Sequence, residues 1–219
     1  MKIQKPVKNQ QVVLILDRSG SMGSIVNDVI GGVNSMLADL RKDQKVKSFV
    51  SIYLFDHELL EYCLDVEASK VQDLTRETFV PRGMTALVDS VHTVINSMEW
   101  KKNYLAPIVI TYTDGCENAS KEFKSDQLSA LISGRTELGW VFTYLGANQD
   151  AWGVAAAYGF DRGSTVTFNA ENNFGTMTYV SSKISDYRIG LVDNKTFLSG
   201  GVGSTALPEE ELKKHYEQQ

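Results

Sequence analysis

The chain has 219 residues, of which 42% are hydrophobic and 22% charged, and a formal charge of -5. Folding at this length removes roughly 70% of the unfolded surface from water, enough for one large domain or two small ones. The acidic balance, with no basic run beyond the pairs Lys101-Lys102 and Lys213-Lys214, argues against nucleic acid or an anionic membrane as partner, since both need a basic surface.

No apolar stretch is long enough to span a bilayer, and Met1 to Gln11 hold no apolar signal core. Cys63 and Cys116 lie far apart without metal-ligand spacing, so the expectation is two reduced thiols in a cytoplasmic protein.

After a polar lead-in over residues 1–9, Val12-Val13-Leu14-Ile15-Leu16 is an unbroken apolar run that predicts a buried strand ending at Asp17. Ile25, Val29, Val33, Met36, Leu37 and Leu40 recur at helical spacing, with Ser24 as the expected N-cap and Asp28 at the positive helix end. Gly31 and Gly32 within that helix cost about 1 kcal/mol each against alanine, and their presence predicts close packing of the helix on the sheet. Residues 49–55 and 59–64 predict the second and third strands. Only Asp56-His57-Glu58 separates them, too little for a parallel crossover, so the pair is an antiparallel hairpin with the third strand at an edge. His57 reads as a solvated turn residue.

Residues 65–84 show little periodicity and end in Pro81-Arg82-Gly83-Met84, a loop that delivers Thr85. A second helix then presents Leu87, Val88, Val91, Val94, Ile95 and Met98 on one face. Residues 108–113 predict strand four, ending at Asp114, and a third helix begins near Ser125-Asp126. Residues 140–145 predict strand five, and Asn148-Gln149-Asp150 open a short helix through Ala157. Strand six covers 165–168 and a last helix about 174–188. Residues 1–192 read as one domain. Residues 193–219 read as a C-terminal extension, with 208–214 a short surface helix or a mobile tail. Trp100, Trp140 and Trp152 read as packing residues.

This alternation predicts an α/β, doubly wound, mostly parallel six-stranded sheet with helices on both faces. In the order 3-2-1-4-5-6, with strand 3 antiparallel at the edge, strands one and four flank the point where the order reverses. Ligands of such sheets bind there, beyond the carboxyl ends of the strands. Asp17 and Asp114 end those two strands, and two carboxylates so close repel unless a cation lies between them. The stretch Asp17-Arg18-Ser19-Gly20-Ser21-Met22 adds two hydroxyls at i+2 and i+4, a hard-oxygen set suited to Mg²⁺.

This Asp-x-Ser-x-Ser stretch, with Thr85 in Arg82-Gly83-Met84-Thr85-Ala86-Leu87 and Asp114 in Thr113-Asp114-Gly115, resembles the metal-ion-dependent adhesion site of von Willebrand factor type A domains. The likeness is to the compact soluble bacterial or viral type and spans roughly residues 10 to 190. It implies that Ser19, Ser21 and Thr85 supply hydroxyl ligands to Mg²⁺ (or Mn²⁺), with Asp17 and Asp114 acting directly or through water. One position would be left for an Asp or Glu of a partner protein. Arg18, Met22, Met84, Glu117 and Asn118 would form the partner-binding rim. The soft thiol of Cys116 suits Mg²⁺ poorly and reads as a bystander. Gly146 to Asp150, after strand five, read first as a helix cap and second as part of the binding face.

Other chemistries find less in the chain. Gly200 to Thr205 lacks the lysine of a phosphate loop and follows no strand, and no Gly-x-Gly-x-x-Gly follows strand one. A phosphatase of the haloacid type needs a second Asp two residues after Asp17, where this chain has Ser19. His57, His92 and His215 fall outside the three site loops, leaving no ready base. The expectation is a non-enzymatic, metal-ion-dependent protein-binding module. The alternative is an assembly scaffold in which metal is structural or occasional, and an Mg²⁺-dependent phosphatase comes last. The residues leave the partner and the oligomeric state open.

Overall fold

A computed structural model describes residues 8–43, 45–114, 117–147, 151–168, 173–195 and 197–198. Cys116, Asn148 to Asp150, the Gly200 to Thr205 segment, His215 and the 208–214 segment lie outside the described residues.

The strands are β1 (Lys8–Asp17), β2 (Val46–Phe55), β3 (Leu59–Glu67), β4 (Tyr104–Thr113), β5 (Val141–Ala147) and β6 (Thr165–Phe168). The helices are α1 (Val26–Lys42), α2 (Leu87–Ser97), α3 (Ser125–Glu137), α4 (Ala151–Ala157) and α5 (Asn173–Arg188). The sheet runs β3-β2-β1-β4-β5-β6, parallel except for the β2–β3 hairpin.

β1 is apolar without interruption because both of its faces are covered. Val12, Leu14 and Leu16 pack into a layer with Val29, Val33 and Met36 of α1 and Met177, Val180 and Ile184 of α5. Val13 and Ile15 face the other layer, which holds Leu87 and Val91 of α2, Leu128 and Ile132 of α3, and Ala151 and Ala155 of α4. The tryptophans differ. Trp140 is fully buried, Trp152 donates its indole N–H to the Thr165 carbonyl, and Trp100 remains largely exposed.

Of the boundaries that depart from the sequence expectation, three do so for identifiable reasons. β3 continues to Glu67 instead of stopping at Leu64, because a bulge with Asp65 at φ 51° absorbs the break in alternation. β4 begins at Tyr104, four residues early. Pro107 sits where the β1–β4 register shifts, and the Gln10 side-chain amide donates to the Ala106 carbonyl there. Ser24 does not cap α1. It ends a 3₁₀ turn over Gly20–Ser24, and the helix begins only at Val26.

The packed region also continues past residue 192. Phe197 and Leu198 are fully buried, and the Leu198 amide donates to the Gly163 carbonyl. At the amino edge of the sheet, the Arg188 guanidinium ends α5 by donating to Gln10 Oε1 (2.7 Å), Asp43 Oδ2 (2.8 Å) and Ser48 Oγ (2.7 Å).

The glycine pair of α1 divides its roles. Gly32 faces α5 rather than the sheet, and a Cβ there would meet Met177 Cγ at 2.7 Å, whereas a Cβ at Gly31 meets nothing within 4 Å. Gly31→Ala should therefore stabilise the protein by about 0.5–1 kcal/mol. Gly32→Ala forces the Met177 side chain to move and should destabilise by about 1–3 kcal/mol. Urea unfolding of the two variants beside the parent checks the opposite signs.

Candidate metal centre

β1 delivers Asp17 to the carboxyl edge with none of its surface exposed. The chain then turns sharply, and Asp17 Oδ1 accepts the Ser19 amide at 2.6 Å while Oδ2 accepts the Thr113 hydroxyl of β4 at 2.6 Å. The 3₁₀ turn that follows presents Ser21. Its hydroxyl donates to Asp114 Oδ1 at 2.7 Å and lies 3.1 Å from the Ser19 hydroxyl. Asp17, Ser19, Ser21 and Asp114 are thus joined in one hydrogen-bonded group across the reversal of strand order.

Thr85 approaches from the second loop. The Gly20 amide donates to the Gly83 carbonyl (3.2 Å) and the Arg82 amide to the Arg18 carbonyl (2.7 Å), which straps this loop along the first. From the third loop, the Asn118 and Ala119 amides donate to the Thr85 carbonyl, and Asn118 Oδ1 accepts the Thr85 amide at 2.8 Å. Thr85 is only 2% exposed, so it is not the surface residue that its loop position suggests. The hydrogen bonds linking the other four residues do not extend to its hydroxyl.

The electrostatics follow from burial. Loss of water pushes the Asp17 carboxyl up to about 6, only partly opposed by the Thr113 and Ser19 hydrogen bonds, and Asp114 adds repulsion. Burial also raises Asp114, with the Ser21 hydroxyl pulling the other way. No cationic side chain contributes to either shift. Hydroxyls and carboxylates make an all-oxygen donor set, and the two acids have no countercharge among the described residues, a combination that fits a hard divalent cation.

The expected rim residues are placed unevenly. Met84 is 55% exposed and Asn118 is exposed. Met22 is a correction: it is fully buried in the α1/α5 layer, because the 3₁₀ turn rolls it under the loop. Arg18 is another. Its side chain turns inward, with Nε 3.2 Å from the buried Asp56 carboxylate. Glu117 is a third. Its carboxylate accepts the Val88, Ala119 and Ser120 amides and the Ser120 hydroxyl at 2.7–2.9 Å, which fastens the third loop to the first turn of α2.

Asp89 and Thr113 are contributors that sequence reasoning missed. The Asp89 carboxylate of α2 accepts the Lys121, Glu122 and Phe123 amides, and His92 of the same helix stacks on Phe123 at 3.7 Å. Thr113 offered a signal, since it directly precedes Asp114 on a strand adjacent to β1. Asp89 offered none, because its partners lie more than thirty residues away.

No protein-family model matches the chain, and no curated protein does. Solved structures do match. The vWF domain of the type V pili tip protein Mfa5 from Porphyromonas gingivalis aligns with TM-score 0.58 at 10% identity, covering 94% of this chain and 100% of that one. The von Willebrand factor type A protein from Catenulispora acidiphila aligns with TM-score 0.55 at 12% identity, covering 81% of this chain and 42% of that one. The pilus adhesin SpaC from Lactobacillus rhamnosus GG aligns with TM-score 0.65 at 13% identity, covering 84% of this chain and 31% of that one. The chain thus has the fold of von Willebrand factor type A domains. It matches the whole of the Mfa5 domain but less than half of the other two chains.

Two outcomes follow from these contacts. A carboxyl whose folded value is raised weakens the fold once ionised, so Asp17 favours folding below about pH 4 and opposes it increasingly through pH 6. In chelator, Asp17→Asn should match the parent at pH 4 and exceed it by up to about 3 kcal/mol at pH 7.5. Urea melts across that range read the difference. Glu117→Ala leaves several donors without an acceptor and should cost about 2 kcal/mol at neutral pH, with Glu117→Gln costing less, by the same melts.

Proposed function

We propose that the chain is a metal-ion-dependent protein-interaction module, non-enzymatic, that captures an Asp or Glu side chain of a partner protein. The observation that carries this reading is the buried Asp17 carboxyl, with no cationic side chain against it among the described residues, beside the linked Ser19, Ser21 and Asp114 groups. Ser19, Ser21 and Thr85 would hold Mg²⁺ (or Mn²⁺) through their hydroxyls, with Asp17 and Asp114 directly or through water. Bound there by mostly neutral groups, the ion would keep enough positive charge to attract an outside carboxylate.

The chain's own residues favour binding over catalysis. Asp17 is locked by two hydrogen bonds of 2.6 Å and has no exposed surface from which to attack a substrate. Ser19 stands where an acid/base aspartate would be needed. Exposed Met84 and Asn118 beside Thr85 offer the partner one apolar and one polar contact. That fold neighbours include a pilus adhesin and a pilus tip protein is consistent with a role in protein contacts.

Calorimetric titration with MgCl₂ tests the reading. The parent should take up one ion with modest affinity, and Thr85→Ala should bind it at least about tenfold more weakly, a loss of about 1.4 kcal/mol. Thr85→Ser, which keeps the hydroxyl, should stay near the parent. Capture of partners from extract should be lost in EDTA and return with Mg²⁺. A folded parent that takes up no ion at millimolar MgCl₂ rejects the proposal, and chelator-insensitive capture gives the scaffold reading its support.

A further inference from the structure

Asp56, between β2 and β3, belongs to none of the three site loops, yet it is a fully buried carboxylate. Its Oδ2 accepts Arg82 Nε at 2.8 Å. Arg18 Nε lies 3.2 Å from the same oxygen, without the alignment of a hydrogen bond. Its Oδ1 accepts the Glu58 amide at 2.7 Å and lies 3.2 Å from His57 Nδ1. The Asp56 backbone continues the pattern, since its carbonyl accepts the Ala86 amide at 2.8 Å and the preceding Phe55 carbonyl accepts the Arg18 amide at 2.7 Å.

Asp56, His57 and Glu58 cluster closely enough to suggest a second cation site. The positive charge is already supplied there by Arg18 and by Arg82, which also pairs with Glu58. The better reading comes from where those partners sit in the chain. Arg18 follows Asp17. Arg82 precedes Thr85 by three residues, and Ala86 follows it directly. Asp56 therefore grips the first loop at one point through its carboxylate, and the second loop on both sides of Thr85, through its carboxylate at Arg82 and its backbone carbonyl at Ala86. Gly83 completes the fit: at φ 67° it packs so close to His57 that any side chain would collide with the imidazole.

We infer that Asp56 is the positioning residue of the centre, holding the Thr85 loop against the Asp17 loop through Arg82 and Arg18 so that Thr85 stands at the height the Ser19/Ser21 group requires. This rests on the metal-binding reading above, but the grip itself exists without an ion. Arg82 is the element to remove, because its side chain is half exposed and Arg18 still neutralises Asp56 when it is gone. Asp56→Asn is the more direct change but strands the buried Arg18 guanidinium and endangers folding.

The experiment compares the parent, Arg82→Ala, Arg82→Lys and the control Arg76→Ala, whose arginine bonds only Asn27 among the described residues. Amide hydrogen exchange is measured in EDTA and Mg²⁺ affinity by calorimetry. Arg82→Ala should speed exchange at the Gly20 and Ala86 amides about tenfold or more, leave Val13 to Leu16 unchanged, and weaken Mg²⁺ about tenfold. Lysine keeps the charge but not the guanidinium geometry and should recover part of both effects, while Arg76→Ala should alter neither. Unchanged exchange at Gly20 and Ala86 overturns the inference. So does faster exchange with parental Mg²⁺ affinity, since the grip would then position nothing. A parent that binds no Mg²⁺ defeats the metal-binding reading, and with it the claim that Asp56 positions a metal centre, whatever the exchange shows.

Discussion

Asp17 sits at the end of the central strand without solvent contact, and the strain of keeping a carboxylate there organises the carboxyl edge. Two short hydrogen bonds, from the Ser19 amide and the Thr113 hydroxyl, replace part of its lost hydration. They do not replace all of it, as the raised affinity of the group for a proton shows. The first bond bends the chain out of β1 into the 3₁₀ turn, and the second ties β1 to β4 just before Asp114. Placement of Ser19, Ser21 and Asp114 thus follows from the way one buried acid is solvated by protein.

The rest of the edge is fixed by other acids acting as hydrogen-bond acceptors. Glu117 and Asp89 gather backbone amides from the third loop and from the first turn of α2, groups that have no helical partner of their own. Together with the paired Thr85 and Asn118, they make α2 and residues 117–124 a single mechanical unit. Any displacement of Thr85 therefore carries the third loop with it. An occupant of the centre would bias that unit only through contacts that differ between its positions.

Much of the fold was legible because its signals are local. Five apolar residues in succession marked β1 as doubly covered, and the three-residue connection after Phe55 forced the hairpin. The ordering of Asp17 and Asp114 at a strand reversal was legible for the same reason, since topology alone brings strand ends together. The supporting shell was not. Glu117, Asp89, Asp56 and Arg18 act on partners up to dozens of residues away, and an acid that collects distant backbone amides looks in sequence like any solvated acid. Met22 was misplaced because apolar residues in polar loops carry no periodicity to show that the turn folds under. Gly32 was read correctly as a site of close approach but against the wrong neighbour, since helix–helix and helix–sheet contacts demand the same missing side chain.

The buried Arg188 at the opposite edge bears on the order in which the molecule assembles. Its three acceptors come from residues 10, 43 and 48, so its longest link spans 178 residues. The acceptors lie on β1, just after α1, and on β2, all made early in the chain, whereas the guanidinium arrives near the end of the described chain. Closing so long a loop carries an entropic cost, which strands already formed by the first half would offset. The last helix should accordingly be among the last elements to dock, and its docking completes the apolar layer it shares with α1.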